Sequence, residues 1–434
     1  MDINLPKLYK DYGIYSNYRN FPLDIDGLKP VERRVLLSAY KIARNGFVKS
    51  RQVDAYTIGH YHPHGECYGT IVQLVRQGFL TGQGNFGTNV GIEPVGPAAP
   101  RYTECKISQQ SLDMAFKYFK YTTMVDTELG DKEPFYLPTM FPICLMGNEY
   151  TQGIGFGYKT YIPCYDVKDL YQRLLWLLKI RKRKPIIQPI TNCNITSSPD
   201  VVESLLTTGK AKIAVSGVFD VNLRNNTVVL KSWPPGKRFE SFLNKFSIEL
   251  DSGMIGFTDL SVTETDISFQ VLRERNRDKI FKDFVKKLKN EVNGTISFEN
   301  VLVDVNQQVI IKSVDDMLLD TYNMFTKTNE SMLNEEISKV NELISEYSIL
   351  EKIKAPLAKC IGEGRDIDFS LNVIKKSTGV DIETSKMLID KYKIRKLLTL
   401  NTDTTELENK VKEFSDNLSN LTNFVLEQYN GLCN

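Results

Sequence analysis

An α+β multidomain fold follows from three observations on the 434-residue sequence. From residue 131 to 305, short alternating runs separated by Asn, Pro and Gly turn signals predict strands in a mixed α/β segment. From about residue 306 Gly and Pro thin out, and two apolar series with 4-3-4-3 spacing predict long amphipathic helices. The length exceeds what one core organises, so division into 1–130, 131–305 and 306–434 is expected.

The first predicted element is a turn, Asp26-Gly27-Leu28-Lys29-Pro30, that places Pro30 at the first position of a helix. Val31, Val35, Leu36, Ala39, Tyr40 and Ala43 give that helix one apolar face. A second helix is expected from about Gly65 to Gln77, entered through His62-Pro63-His64, with Thr70, Ile71, Leu74 and Val75 inward. Gly recurs between Leu80 and Pro100, which predicts a hairpin or wing. Two helices and a Gly-rich wing resemble a winged-helix module. Further on, Lys212 to Val221 and Thr227 to Leu230 read as strands, with turns at Asn225-Asn226 and Pro234-Pro235-Gly236. Leu333, Ile337, Val340, Ile344 and Tyr347 form the first heptad series, and Leu407, Val411, Phe414, Leu418, Leu421 and Val425 the second. They predict an antiparallel coiled coil whose arms are joined by a compact cap at about 355–400; the plainer alternative is the core of a helical bundle.

The net charge of +2 is uninformative, but its distribution is uneven: residues 1 to 125 hold fifteen Lys/Arg against ten Asp/Glu. Lys179 to Lys184 is a second basic block, suited to a polyanion or to a solvated helix end ahead of Pro185. Seven cysteines lack CxxC spacing, which argues against a zinc ribbon or a disulfide framework and for a reducing compartment such as the cytoplasm. No apolar run reaches membrane-spanning length, and Met1-Asp2-Ile3-Asn4 does not begin a signal peptide.

All three histidines, His60, His62 and His64, fall in one segment, where phosphate contact, acid–base work and zinc ligation are the alternatives. Tyr102 follows Arg101. A free tyrosine is a weak nucleophile, with a pKa of about 10, and a neighbouring guanidinium can favour the phenolate or the charge that develops in phosphoryl transfer. Taken alone, such a pair also reads as an ordinary surface pair. Asp24-Ile25-Asp26 has DxD form but sits in a turn, and no acidic cluster for magnesium accompanies it. Gly82-Gln83-Gly84-Asn85-Phe86-Gly87 has no lysine to reach a nucleotide phosphate, so ATP hydrolysis by this chain alone is not expected.

Taken in order, Arg19-Asn20-Phe21-Pro22, Asp26 to Arg34, Tyr61-His62-Pro63-His64-Gly65, Gly82 to Gly87 and Ala98 to Glu104 resemble the breakage-reunion subunit of type IIA DNA topoisomerases. That group comprises the gyrase A subunit, its topoisomerase IV counterpart and related phage subunits. Weaker likeness continues through Leu137-Pro138-Thr139, Gly153 to Gly157, Tyr161-Ile162-Pro163 and Thr208-Gly209-Lys210 into the paired helices.

The resemblance implies a winged-helix cleavage domain, a mixed α/β tower and a coiled-coil gate with a dimerisation cap. It makes Tyr102 the nucleophile that forms a 5'-phosphotyrosyl link, Arg101 the stabiliser of the transition state and Arg19 a holder of the scissile region. Lys29, Arg33, Arg34, His62, His64 and Thr208 would contact DNA, Ile154 would wedge between base pairs, and this chain would hold no metal. Mg2+ and ATP would sit on a partner chain in an A2B2 assembly. Glu32 departs from the usual His or Gln, and Glu66-Cys67 from the acidic–Ser pair of gyrase. Termination at Asn434 leaves no room for a DNA-wrapping domain, so relaxation or decatenation is expected. The rival readings are a winged-helix DNA-binding protein whose Tyr102 is structural, and a metal-dependent nuclease.

Overall fold

The computed structural model describes residues 5–89, 92, 94–253, 255–259, 266–272 and 276–433. It has mixed α/β architecture and divides into two compact units, residues 1–325 with 431–434 and residues 326–430. The tetrapeptide Met1 to Asn4 lies outside the described residues.

The first unit begins with the helix Leu5–Asn20 and the helix Pro30–Ile42. Pro30 occupies the first turn, and the Glu32 carboxylate accepts the Lys29 N–H at 2.9 Å, satisfying a donor that the helix cannot. Val35, Leu36, Ala39 and Ala43 are buried, as the periodicity predicted. A helix that the sequence did not lead us to expect, Ser50–His60, follows. The next helix is shorter than expected, Tyr68–Arg76. His62-Pro63-His64 therefore lies in the loop between two helices rather than at a helix start, and His60 closes the first of them.

Glu104–Ile107 is the central strand of a three-stranded sheet, between Val48–Lys49 and Leu80–Gln83. The Gly-rich segment folds back on itself through paired backbone bonds between Thr88 and Val95. A five-stranded sheet has the order Thr151–Ile154, Lys159–Ile162, Asn293–Glu299, Lys210–Ser216, Asn194–Ile195. The strand expected over Lys212 to Val221 is broken: it leaves this sheet at Ser216 and resumes as Phe219–Asn222 in a separate four-stranded sheet with Thr227–Leu230. Gly217 makes the transition, because a Cβ there would meet the Ser232 carbonyl at 2.6 Å. The helix Arg277–Glu291 covers this second sheet through Phe281, Phe284 and Leu288, which join Trp233, Phe242 and Phe269 in one aromatic core.

The 49-residue helix Val314–Gly362 carries the first heptad series into the second unit. There Ile337, Val340, Ile344 and Tyr347 are half-buried, as are Leu407, Val411, Phe414, Leu418 and Leu421. Their flanks are mostly open, a narrow apolar seam of the coiled-coil kind. The Gln428 amide nitrogen donates to Asn329 Oδ1 at 2.7 Å and the Thr402 hydroxyl donates to Glu351, so the later chain returns antiparallel to the first helix. The second arm is not continuous: Thr405–Ser419 and Leu421–Cys433 meet at Asn420. Between the arms, Leu371, Ile374, Leu388, Ile389 and Leu397 pack with Leu350, Ile353 and Leu357 into one core. The Asp366 and Asp381 carboxylates cap the first turns of Ile367–Thr378 and Ile382–Tyr392.

Candidate functional site

Tyr102 stands 65% exposed at the end of a turn whose backbone is held from several directions. Its N–H donates to the Ala99 carbonyl at 2.9 Å, and the next residue, Thr103, is fully buried. Thr103 Oγ1 donates to Ser50 Oγ at 2.9 Å and lies 3.1 Å from the Tyr68 hydroxyl, which donates to the Ala98 carbonyl at 2.6 Å. Gly84, at φ +104°, backs the turn, since a side chain there would press on the Tyr102 carbonyl. The Gly-rich segment thus serves to mount the Tyr102 turn. The Arg101 guanidinium lies 4.6 Å from the centre of the Tyr102 ring, so a permanent positive charge accompanies the exposed phenol.

The histidine loop adjoins this turn. Arg51 donates its N–H to the Pro100 carbonyl at 3.2 Å and its guanidinium to Glu66 at 2.6 Å, joining the residues on either side of the two motifs. Within the loop the His62 and His64 rings are 5.1 Å apart. His64 Nε2 lies 2.9 Å from the Tyr15 hydroxyl, and the Tyr15 ring carries the Arg19 guanidinium at 5.5 Å. His62 Nδ1 lies 3.1 Å from Arg34 Nη1. Burial, followed by the positive charges of Arg34, His64 and Arg19, pushes the His62 imidazole down to about 4. His64 is lowered as well, by burial and then Arg19, against the opposing charge of Glu128. His60 is separate, its ring tilted against that of Tyr56 at 4.1 Å and bonded to Asp131 at 2.9 Å. The three histidines do not converge, and among the described residues no group of three His, Cys, Asp or Glu side chains is placed to hold a metal.

Several expected DNA contacts are committed elsewhere. Arg33 departs furthest from expectation: it is buried, with its Nε and Nη2 donating to Asp26 at 2.8 and 2.9 Å and Nη2 also to the Leu28 carbonyl. Its guanidinium is enclosed within the fold. Asp26 also accepts the Leu28 and Leu137 N–H groups, so the formal DxD is a structural hub, and Asp24 pairs with Lys312. Arg34 is 12% exposed and grips Glu133 through two bonds of 2.7 and 2.8 Å. Lys29 reaches the Gln152 carbonyl. Thr208 spends its hydroxyl on its own helix end, donating to the Ser204 carbonyl at 2.6 Å.

Ile154 projects 76% exposed from the hairpin of Thr151–Ile154 and Lys159–Ile162. The flanking glycines seat that hairpin on the helix Leu5–Asn20: a Cβ on Gly153 would collide with the Asn20 carbonyl, and one on Gly155 with the Asn17 side chain and the Phe21 ring. Asn17 completes the seat, with its Oδ1 accepting the Phe156 N–H at 2.6 Å and its Nδ2 donating to the Phe156 carbonyl at 3.3 Å. Sequence reasoning passed over Tyr15, Asn17, Tyr68 and Glu133. Only Tyr15 carried a signal, through the three-residue spacing of Tyr9, Tyr12, Tyr15 and Tyr18.

Glu32, the departure noted in the sequence, caps its helix rather than facing an open surface. Burial raises its carboxyl, while Lys29 pulls the other way.

A family model describing the A subunit of DNA gyrase/topoisomerase IV matches residues 19–430. The DNA gyrase A subunit of Mycolicibacterium smegmatis is 24% identical over 441 residues, covering 92% of this chain and 50% of its own length. The corresponding protein of Haloquadratum walsbyi is 26% identical over 77% of this chain and 41% of its own. That of Campylobacter jejuni reaches 36% over a shorter stretch, 37% of this chain and 19% of its own. The chain spans about half the length of the curated relatives that it matches along most of its course.

Proposed function

The chain belongs to the family of DNA gyrase and topoisomerase IV A subunits, and from that membership we propose that it cuts and rejoins duplex DNA as one component of an ATP-dependent type II topoisomerase. The observation that carries this reading is Tyr102, an exposed phenol on a fixed backbone with the Arg101 guanidinium over its ring. The phenolic oxygen attacks a backbone phosphorus, a Tyr–O–P bond forms, and the P–O3' bond breaks. A 5'-phosphotyrosyl link and a 3'-hydroxyl result. The phenolic proton leaves, the departing 3'-oxygen gains one, and the reverse attack reseals the strand. Arg101 offsets the negative charge that grows on the phosphoryl oxygens. Arg19, His62 and His64 line the strand beside it, with Lys29 and Arg34 supporting from behind, and Ile154 opens a base step so that the duplex bends.

Residues 1–130 act in this scheme as a winged-helix cleavage domain, 131–305 as a tower and 306–434 as a gate. Two copies meet, so that each Tyr102 cuts one strand, and a cytoplasmic partner supplies ATP hydrolysis and Mg2+. The residues near Tyr102 do not suit a magnesium cage of their own, because Glu66 and Glu104 are paired with Arg51 and Lys49 at 2.6 and 2.7 Å. Replacement Tyr102→Phe removes the attacking oxygen and leaves the ring, so denatured mixtures of the full enzyme with DNA should yield a covalent adduct for the wild type alone. An adduct surviving in the Phe variant would place the nucleophile elsewhere, and none in either would favour a DNA-binding module.

A further inference from the structure

The geometry points to Glu133 and Arg34 as positioning residues that hold His62 as a neutral hydrogen-bond donor, its proton on Nε2. The inference rests on the reading of His62 as a DNA contact, but its structural half stands on bonds within this chain. Glu133 takes the Nε and Nη2 of Arg34 in a two-bond grip, which fixes the plane of the guanidinium. The remaining terminal nitrogen, Nη1, then lies 3.1 Å from His62 Nδ1. A guanidinium has no acceptor, so the imidazole nitrogen facing it must carry a lone pair and no proton. One tautomer of neutral histidine satisfies that condition, the one with hydrogen on Nε2.

The surroundings act in the same direction. Arg34 approaches from the helix Pro30–Ile42, Arg19 from the helix Leu5–Asn20 and His64 from the loop itself, and all three oppose a positive charge on His62. Glu133, the carboxylate that could have favoured the imidazolium, reaches His62 only through Arg34 and is neutralised there. His62 therefore offers a phosphate oxygen one directional N–H and no charge. Arg34 correspondingly acts on DNA through His62 and not by touching a phosphate, in keeping with its near-complete enclosure.

Two measurements separate this arrangement from direct phosphate contact by Arg34. The chain has three histidines, so 15N-histidine spectra of the free chain can be assigned with single His→Gln variants. His62 should show an unprotonated Nδ1 and a protonated Nε2, unchanged from pH 8 to pH 5, and Glu133→Gln or Arg34→Lys should release it to titrate. A protonated Nδ1, or a mixture of tautomers in the wild type, overturns the proposal without recourse to any variant. The second measurement is the salt dependence of DNA binding, in which each neutralised phosphate contributes a slope of about −0.9. Arg34→Gln and His62→Gln should leave the slope unchanged while lowering adduct formation by the full enzyme about 10- to 100-fold, the cost of roughly 1 Å of misplacement. A slope shallower by about 0.9 in Arg34→Gln would make Arg34 a phosphate ligand and sink the relay. Failure of Tyr102→Phe to abolish the adduct would refute the cleavage reading and leave the His62 tautomer standing.

Discussion

Two buried or half-buried ionisable residues in the first unit titrate against their usual habit, and each makes a definite expectation. Glu32 accepts the Lys29 N–H while sitting in a site that penalises its charge. A glutamine keeps the acceptor and removes the charge. Glu32→Gln should therefore leave thermal stability unchanged or raise it, whereas Glu32→Ala, which abandons the N–H, should cost about 1 kcal/mol in denaturant unfolding. His62 is lowered to about 4 in the folded chain, against about 6.5 when unfolded. Its contribution to stability is thus complete above pH 6.5 and is lost as the pH falls from 6.5 towards 4, because the unfolded chain takes up the proton first. A Tm–pH profile of His62→Gln should be flatter than the wild type in that window, and an identical profile would deny the shift.

At the scale of elements, the hairpin that presents Ile154 divides its labour among neighbouring residues. Gly155→Ala should cost about 1–3 kcal/mol by overpacking against Asn17 and Phe21, lowering Tm. Ile154→Ala, at an exposed position, should change stability by less than about 0.5 kcal/mol yet reduce DNA bending in a fluorescence-transfer assay. Equal Tm losses in both variants would mean that Ile154 packs in the fold. The same hairpin shows what a sequence discloses. The run Gly153 to Gly157 announced an outward isoleucine, because glycine on both sides is a local signal, but the helix it leans on was invisible, since the collision partners lie more than 130 residues away. Helices with an apolar period or a Pro at the start, such as Pro30–Ile42, were legible. Ser50–His60 was not, because it buries only Ser50, Val53, Asp54 and Thr57, three of them through polar bonds. Tyr102 and Arg101 stood out as a motif; the Glu133–Arg34–His62 chain could not, because its carboxylate is 99 residues from its guanidinium.

For the whole molecule the decisive question in the proposed assembly is where two copies would meet. The apolar residues of the cap, counted along the sequence, exceed what one chain would be expected to enclose. The fold accounts for most of them, since Leu371, Ile374, Leu388, Ile389 and Leu397 are buried in its own core. Ile361, Ile367, Phe369 and Met387 remain, at 37%, 47%, 45% and 59% exposure. If they form the proposed two-fold contact, the wild-type chain should sediment as a dimer and Phe369→Glu should shift it towards monomer, with Tm unchanged. An unshifted dimer would locate the contact elsewhere.

The turn from Leu23 to Leu28 carries a consequence for synthesis. Its residues bond to partners far down the chain: Asp26 to Leu137 and Ile143, Asp24 to Val303 and Lys312, and Ile25 to Thr321. A ribosome adding about 5–20 residues per second needs roughly 15–60 s to pass from this turn to the last of those partners. For that interval the turn has the buried Arg33–Asp26 pair to form and few neighbours to bury it. The turn is therefore expected to be among the last parts of the first unit to be completed, and a nascent chain arrested before residue 321 should leave it open to proteolysis.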